Sequence, residues 1–280
     1  MTDPLVPVLA EIDRSFGDSV ERLKEFLRIP SVGTDPAHDA DTRRAAEWLR
    51  AELVAAGLAA ELRPTPGQPM VVAKGGRGEG PRLLYYGHYD VQPPDPLDLW
   101  QSPPFEPTIV EGPHGPRIVA RGAVDDKGQL LTWVEAMRAW KRVHGQLPVP
   151  VTVLVEGEEE SSSVNLEPFI REHRGELAAD VAIVSDTGML GVDLPAITTI
   201  LRGIVYLEAT LEGPTRDLHS GMYGGAVPNP IHVLAELLAS LHDARGRVAI
   251  PGFYERVREL DEAERRAWRE LPFDERAFLA

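Results

Sequence analysis

One histidine and a set of carboxylates stand where apolar runs stop. His88 and Asp90 follow "RLLYY", the glutamates of "EGEEE" (156 to 160) follow "VTVLV", Asp186 closes "VAIVSD", and Asp125 with Asp126 opens the patterned stretch "DDKGQLLTWVEAMRAWKRVHG". Each has an ordinary reading. A histidine after a strand is a polar loop residue, "EGEEE" is a solvated acidic run, Asp125 or Asp126 caps a helix, and Asp186 makes an Asx-turn. Two points pull the other way. A metal-bound imidazole passes its second ring proton to a carboxylate, and Asp90, two residues beyond His88, points the same way from a strand. Adjacent glutamates repel unless a cation neutralises some of them. One histidine and several carboxylates, with no cysteine in the chain, form a nitrogen and oxygen ligand set. That set suits a dinuclear hydrolytic centre holding two divalent ions, zinc first and cobalt or manganese in its place.

Such a centre needs elements that bring its ligands to one edge. Val8, Leu9, Ile12, Phe16, Val20, Leu23 and Leu27 recur at spacings of mostly three or four, the stripe of one or two amphipathic helices ending before Pro30. Asp41 or Thr42 is placed to cap a second helix that buries Ala45, Trp48, Leu49 and Leu53 and stops at Gly57. "MVVAKGG", "RLLYYGHYDV", "VTVLV" and "VAIVS" read as strands, with helices between them at "DDKGQLLTWVEAMRAWKRVHG" and "NLEPFIREHRGEL". The expected fold class is α/β, with a mainly parallel sheet flanked by helices. Ligands of such sheets bind beyond the carboxyl ends of the strands, so the acidic groups and His88 should meet there. Near residue 198 the pattern changes to a long alternating strand signal, "TTILRGIVYLEATLEG", then the helix "NPIHVLAELLASLHDA" and a charged tail. Two domains are therefore expected, residues 1–197 and a smaller α+β domain at 198–280.

Composition narrows the partners. With 29 basic and 44 acidic residues the formal charge is -15, which argues against nucleic acid or an anionic membrane and suits a collector of cations. The amino terminus has no signal-peptide pattern and no stretch approaches the roughly 18 apolar residues of a membrane span. The expected location is cytoplasmic.

The motifs "GHYDVQP", Trp100 with Pro104, Phe105 and Pro107, "ARGAVDDKG", "EGEEESSS", "SDTG" and "RDLHSGMYGG" occur in this order. Together they resemble the dinuclear metallopeptidase family of acetylornithine deacetylase, succinyl-diaminopimelate desuccinylase and the carboxypeptidases, and most of all its carnosinase-like dipeptidase branch. The resemblance implies that His88 and Asp186 hold one metal, that Glu160 holds the other and that Asp125 bridges both, the peptide bond after Asp125 being cis. It implies that Asp90 supports His88, that Glu159 is the general base, and that His219 stabilises the oxyanion from the partner subunit of a homodimer formed by the smaller lid domain. The implied reaction is hydrolysis of a dipeptide or short peptide. An N-acyl amino acid deacylase or a glutamate-releasing carboxypeptidase is the alternative within the family. Relatives complete the second metal with a histidine far downstream, after the chain has returned to the catalytic domain, and no residue here matches it. A non-catalytic dimerising fragment is thus the other alternative, and the chain by itself is expected to bind the second metal weakly and hydrolyse poorly.

Overall fold

The Asp3 carboxylate accepts the Leu5 N–H at 2.9 Å, and from there a single helix, α1 (Leu5–Leu27), runs for 23 residues. Only its deeper end is fully enclosed, at Phe26 and Leu27, with Val8 near its start. The computed structural model describes residues 3–78, 80–192 and 194–279 and divides into two compact units, Met1–Leu201 and Arg202–Ala280.

In the first unit α1 is followed by α2 (Asp39–Ala55), whose start differs from the sequence expectation. Asp41 lies inside its first turn, and Thr42 turns its hydroxyl back to the His38 carbonyl (3.0 Å). The chain then forms β1 (Ala59–Arg63), β2 (Met70–Gly75), β3 (Leu83–His88), β4 (Thr108–Gly112) and β5 (Gly115–Val119). Next come α3 (Lys127–His144), β6 (Val151–Glu156), α4 (Leu166–Glu172) and β7 (Val181–Val184). Strands β4 and β5 make a separate hairpin, which carries too little apolar alternation to be read from the sequence.

The main sheet has the order β1-β2-β6-β3-β7. It is mixed rather than mainly parallel. Strand β3 pairs parallel with β6 and with β7, while β1 with β2 and β2 with β6 are antiparallel. The reason is local: β1 turns back into β2 through a short connection, and a short connection can only join antiparallel strands. Side chains alternate across the sheet as a period of two demands. Val71, Ala73, Tyr85, Val153 and Val155 join Phe26, Leu49, Leu53, Leu130 and Val134 of the three long helices in one core. Met70, Val72 and Leu154 pack on the other face with Phe169 and Leu177. Helices α1, α2 and α3 are also tied by charge: Arg22 bonds Glu135 (2.9 and 2.5 Å), and Arg138 bonds Glu135 (3.2 Å) and Glu52 (2.5 Å).

The second unit contains α5 (Ser220–Tyr223), α6 (Pro230–Ser240), α7 (Glu262–Arg269) and α8 (Glu275–Leu279). Asn229 caps α6 through the Ile231 N–H (2.9 Å), and Asp261 with Glu264 forms a capping box on α7. The alternating stretch expected as a strand is not one. Residues 195–214 form neither helix nor strand, and Leu201, Tyr206 and Leu207 are at least four-fifths exposed. Alternation marks two faces, but a strand also needs a partner for its backbone groups, and among the described residues none pairs with this stretch. No helix among the described residues is long and apolar enough to cross a membrane.

Glu176, in the turn after α4, clips the open side of this frame. It accepts from Arg63 of β1 (2.6 and 2.8 Å) and from Lys74 of β2 (2.8 Å). The hydrogen bonds from Arg63 and then Lys74 draw its carboxyl from an ordinary 4.5 down to about 2. A depressed carboxylate stabilises the fold fully above its unfolded pKa, and the contribution disappears as pH falls through the folded value. Glu176→Gln should therefore lower the urea midpoint at neutral pH, and its difference from the parent should shrink between about pH 4.5 and pH 2. A difference that stays constant across that window in parallel urea titrations would contradict the assignment.

Candidate metal centre

Strand β3 delivers His88 to the rim from inside the core. Tyr85, buried against Trp133 (ring centroids 5.1 Å apart), shares a 2.8 Å hydrogen bond with the Ser185 hydroxyl, next to Asp186. His88 pairs in register with Glu156 of β6, and the Tyr89 N–H donates to the Glu156 carbonyl (2.8 Å). Beyond the strand, the segment after α1 closes over the chain: Ser31 Oγ donates to the Tyr89 carbonyl (2.7 Å), and Val32 bridges to Val91. His88 and Asp90 have no solvent exposure.

The His88 ring is oriented from one side and open on the other. Its Nδ1 lies 3.1 Å from the Asp90 carbonyl oxygen and 3.3 Å from Asp90 Oδ1. With Nδ1–H donated there, Nε2 is the nitrogen left available to a metal. Nε2 lies 3.1 Å from Asp125 Oδ1 and 3.5 Å from Asp186 Oδ2. One ligand atom from each of His88, Asp125 and Asp186 falls within 4.8 Å of the other two. The Asp125–Asp126 peptide bond is cis.

Asp90 reaches further than its histidine. Oδ1 accepts the Glu159 N–H (3.3 Å) and Oδ2 the Glu160 N–H (3.0 Å). The turn that carries both glutamates is thus anchored on the group that orients His88. Glu160 stands outside the three-residue cluster, and its Oε2 accepts from Gln92 Nε2 at 2.5 Å. His219 belongs to the second unit, where its Nδ1 accepts the Gly221 N–H (3.1 Å) at the start of α5.

The electrostatics record a shortage of positive charge. Burial opposes protonation of His88, but the hydrogen bond and charge of Asp90, with Asp126 and Glu159, outweigh it and push the imidazole up to about 10. Burial raises Glu159, His88 opposes the rise, and the charges of Asp186, Asp90 and Asp125 add to it. Burial also raises Glu160; its bond from Gln92 acts against this and the Asp125 charge acts with it. A divalent cation relieves such repulsion directly. The donor set, one imidazole nitrogen and several converging carboxylate oxygens, fits zinc, cobalt or manganese.

Three buried groups here were not singled out by the sequence. Asp126 holds the position before α3 but makes no cap bond. Instead its Oδ2 accepts the His88 N–H (3.2 Å), and its buried Oδ1 has no partner. Burial lifts its carboxyl to about 7, with His88 opposing and Asp186 and Asp125 reinforcing. Lys127 is fully buried under the Phe26 ring (4.8 Å) and donates to the carbonyls of Phe26 (3.1 Å) and Ile29 (2.7 Å) at the end of α1. Burial lowers its amine to about 7. Glu156 is buried at the end of β6. Nothing in "DDKG" distinguishes the enclosed aspartate from its neighbour, and a buried lysine has no sequence signature.

Asp90→Asn keeps the size of the side chain but removes the anion from both tasks. It should weaken zinc or cobalt binding by about 10- to 100-fold, the range for losing an orienting partner of a ligating histidine. Titration calorimetry on metal-free protein measures this, and unchanged affinity would mean that Asp90 does not orient the ligand.

Comparison with known proteins places this geometry in a wider group. The family model described as peptidase family M20/M25/M40 matches residues 84–263. The chain is 34% identical over 266 residues to the Cys-Gly metallodipeptidase dug1 of Schizosaccharomyces pombe, covering 90% of this chain and 55% of that protein. It is 31% identical over 291 residues to the Beta-Ala-His dipeptidase of Homo sapiens, covering 96% and 56%. Among solved structures it is similar to the metallo-carboxypeptidase Sso-CP2 of Sulfolobus solfataricus, with a TM-score of 0.73 and 35% identity, covering 93% of this chain and 58% of that one. The chain therefore spans little more than half the length of the relatives it matches.

Proposed function

The chain belongs to peptidase family M20/M25/M40, and from that premise we propose that it supports metal-dependent hydrolysis of the amide bond of a dipeptide or short peptide. The observation that carries the reading is the convergence of His88 Nε2, Asp125 and Asp186 within 4.8 Å, beside a turn whose two glutamates hang from Asp90. His88 and Asp186 are proposed to hold one divalent ion, Glu160 the other, and Asp125 both.

Bound there, two divalent ions supply Lewis acidity at the scissile carbonyl and a water of lowered pKa. The chain's own groups do the rest. Glu159, raised above an ordinary glutamate by burial and by neighbouring carboxylates, takes the proton of the attacking water and hands it to the leaving amine. Asp90 keeps the His88 ring in the tautomer that offers Nε2. His219 of the partner subunit in a homodimer is proposed to donate to the developing oxyanion. A cytoplasmic location belongs to the same proposal.

The dipeptide preference is supported by the activities for which two relatives are named, the Cys-Gly and Beta-Ala-His dipeptidases. The carboxypeptidase reading has its own support in the likeness to Sso-CP2. Substrate choice separates them. Protein loaded with zinc, cobalt or manganese should release amino acids from unblocked dipeptides in preference to N-acetyl or N-succinyl amino acids, as read by chromatography of the products. A reversed preference would favour the deacylase or carboxypeptidase alternative. Glu159→Gln should lower kcat by about 10²- to 10⁴-fold, the usual contribution of general acid–base catalysis, with metal content retained.

A further inference from the structure

Glu156 lies outside the proposed machinery, yet it is fully buried where β6 meets the acidic turn. Its Oε1 accepts two hydroxyls, from Tyr86 on β3 (2.5 Å) and from Ser163 (2.9 Å), while Oε2 is buried with no partner. Leaving a buried carboxylate oxygen unpaired is costly, so the arrangement needs a reason. The Tyr86 and Ser163 bonds supply one. Tyr86 precedes His88 by two residues on the same strand, and Ser163 ends the turn that bears Glu159 and Glu160.

That turn has a demanding backbone. Ser162 and Ser163 both lie in the left-handed region, at φ 83° and 50°, where a side chain crowds the following carbonyl. Two amides fold back onto one carbonyl, Ser161 N–H (3.1 Å) and Ser163 N–H (2.8 Å) both donating to Glu158 O. A conformation of this kind persists only where its surroundings over-determine it. Asp90 holds the first half of the turn through the amides of Glu159 and Glu160. The second half is held at Ser163, and the Ser163 hydroxyl ends on Glu156. Gly157, the next residue, is pressed so close to Tyr89 that an added methyl would lie 2.2 Å from its ring. The start of the turn is therefore fixed as well.

We propose that Glu156 is a positioning residue: by gathering Tyr86 and Ser163 onto one buried oxygen, it fixes where the Glu159–Glu160 turn stands relative to His88. The inference rests on the proposed function for the roles of Glu159 and Glu160, but its geometric content does not. A carboxyl serving only the core would bond the neighbouring strand alone, whereas this one bonds the turn as well.

Two readouts test it on the 280-residue chain. The first is hydrogen exchange by mass spectrometry on metal-free Glu156→Leu and Glu156→Gln. Glu156→Leu should speed exchange of peptides spanning 157–165 and leave those of β3 and β6 protected. Glu156→Gln, which keeps an acceptor oxygen, should resemble the parent. Ser163→Ala and Tyr86→Phe each remove one hydroxyl with less risk to folding and should reproduce the effect in part. Unchanged exchange at 157–165 in all variants, or equal loosening of the strands, overturns the proposal. The second readout is a double-mutant cycle on Co²⁺ affinity with Glu160→Gln. Glu156→Leu should weaken binding by about tenfold in the parent and have little effect once Glu160 is already changed. Equal losses in both backgrounds overturn it. If Glu160→Gln alone leaves Co²⁺ affinity unchanged, the ligand role of Glu160 fails instead, and the exchange result then decides the positioning role by itself.

Discussion

The site depends on one buried carboxylate. Asp90 faces the His88 ring with one oxygen and receives the amides of Glu159 and Glu160 on both. A single anion thereby fixes an imidazole on β3 and a turn after β6, elements joined through the His88 to Glu156 register. An ionised acceptor makes hydrogen bonds roughly twice as strong as a neutral one. Removing that charge affects both sides of the centre together.

Around this anchor the chain concentrates negative charge in a partly dry place. Asp126 is enclosed with one oxygen unpaired, and the carboxyls of Glu159 and Glu160 are raised by burial and by the charges of Asp90 and Asp125. A buried ammonium, Lys127, is committed to the end of α1 through two carbonyls and an aromatic face. It joins the helix that starts beside Asp125 to the helix that opens the chain. Packing among α1, α2 and α3 therefore bears on the height at which Asp125 stands. The convergence of charge is held by the core, not by the loops that display it.

Much of this was legible because strands end in ways that show. The apolar runs before His88, Glu156 and Asp186 are β3, β6 and β7, and the rule that ligands gather at carboxyl ends of parallel strands brings these residues to one edge. The parallel pairs, β6 with β3 and β3 with β7, lie where that edge is; β2 runs antiparallel to β6 and to β1, and for β1 and β2 a short connection rather than a hydrophobic pattern decides direction. What was not legible depends on three-dimensional enclosure. Asp125 and Asp126 are chemically identical in the sequence, yet one is half-exposed at the cluster and the other is sealed against the His88 amide. The alternating stretch near 204 fails for a different reason, since its pattern describes faces and its pairing needs a neighbour. Glu160 shows a further limit: its place on the turn follows from spacing, but its hydrogen bond to Gln92 does not.

The close approach of Gly33 to Asp90 has an effect on the local dielectric. A methyl on Gly33 would lie 2.3 Å from Asp90 Oδ2, so bare backbone takes the space that solvent molecules or a side chain would otherwise fill. Asp90 has no solvent exposure, so water screens its charge from the imidazole less than it would at the surface. A segment distant in sequence thus helps to enclose the carboxylate that faces His88.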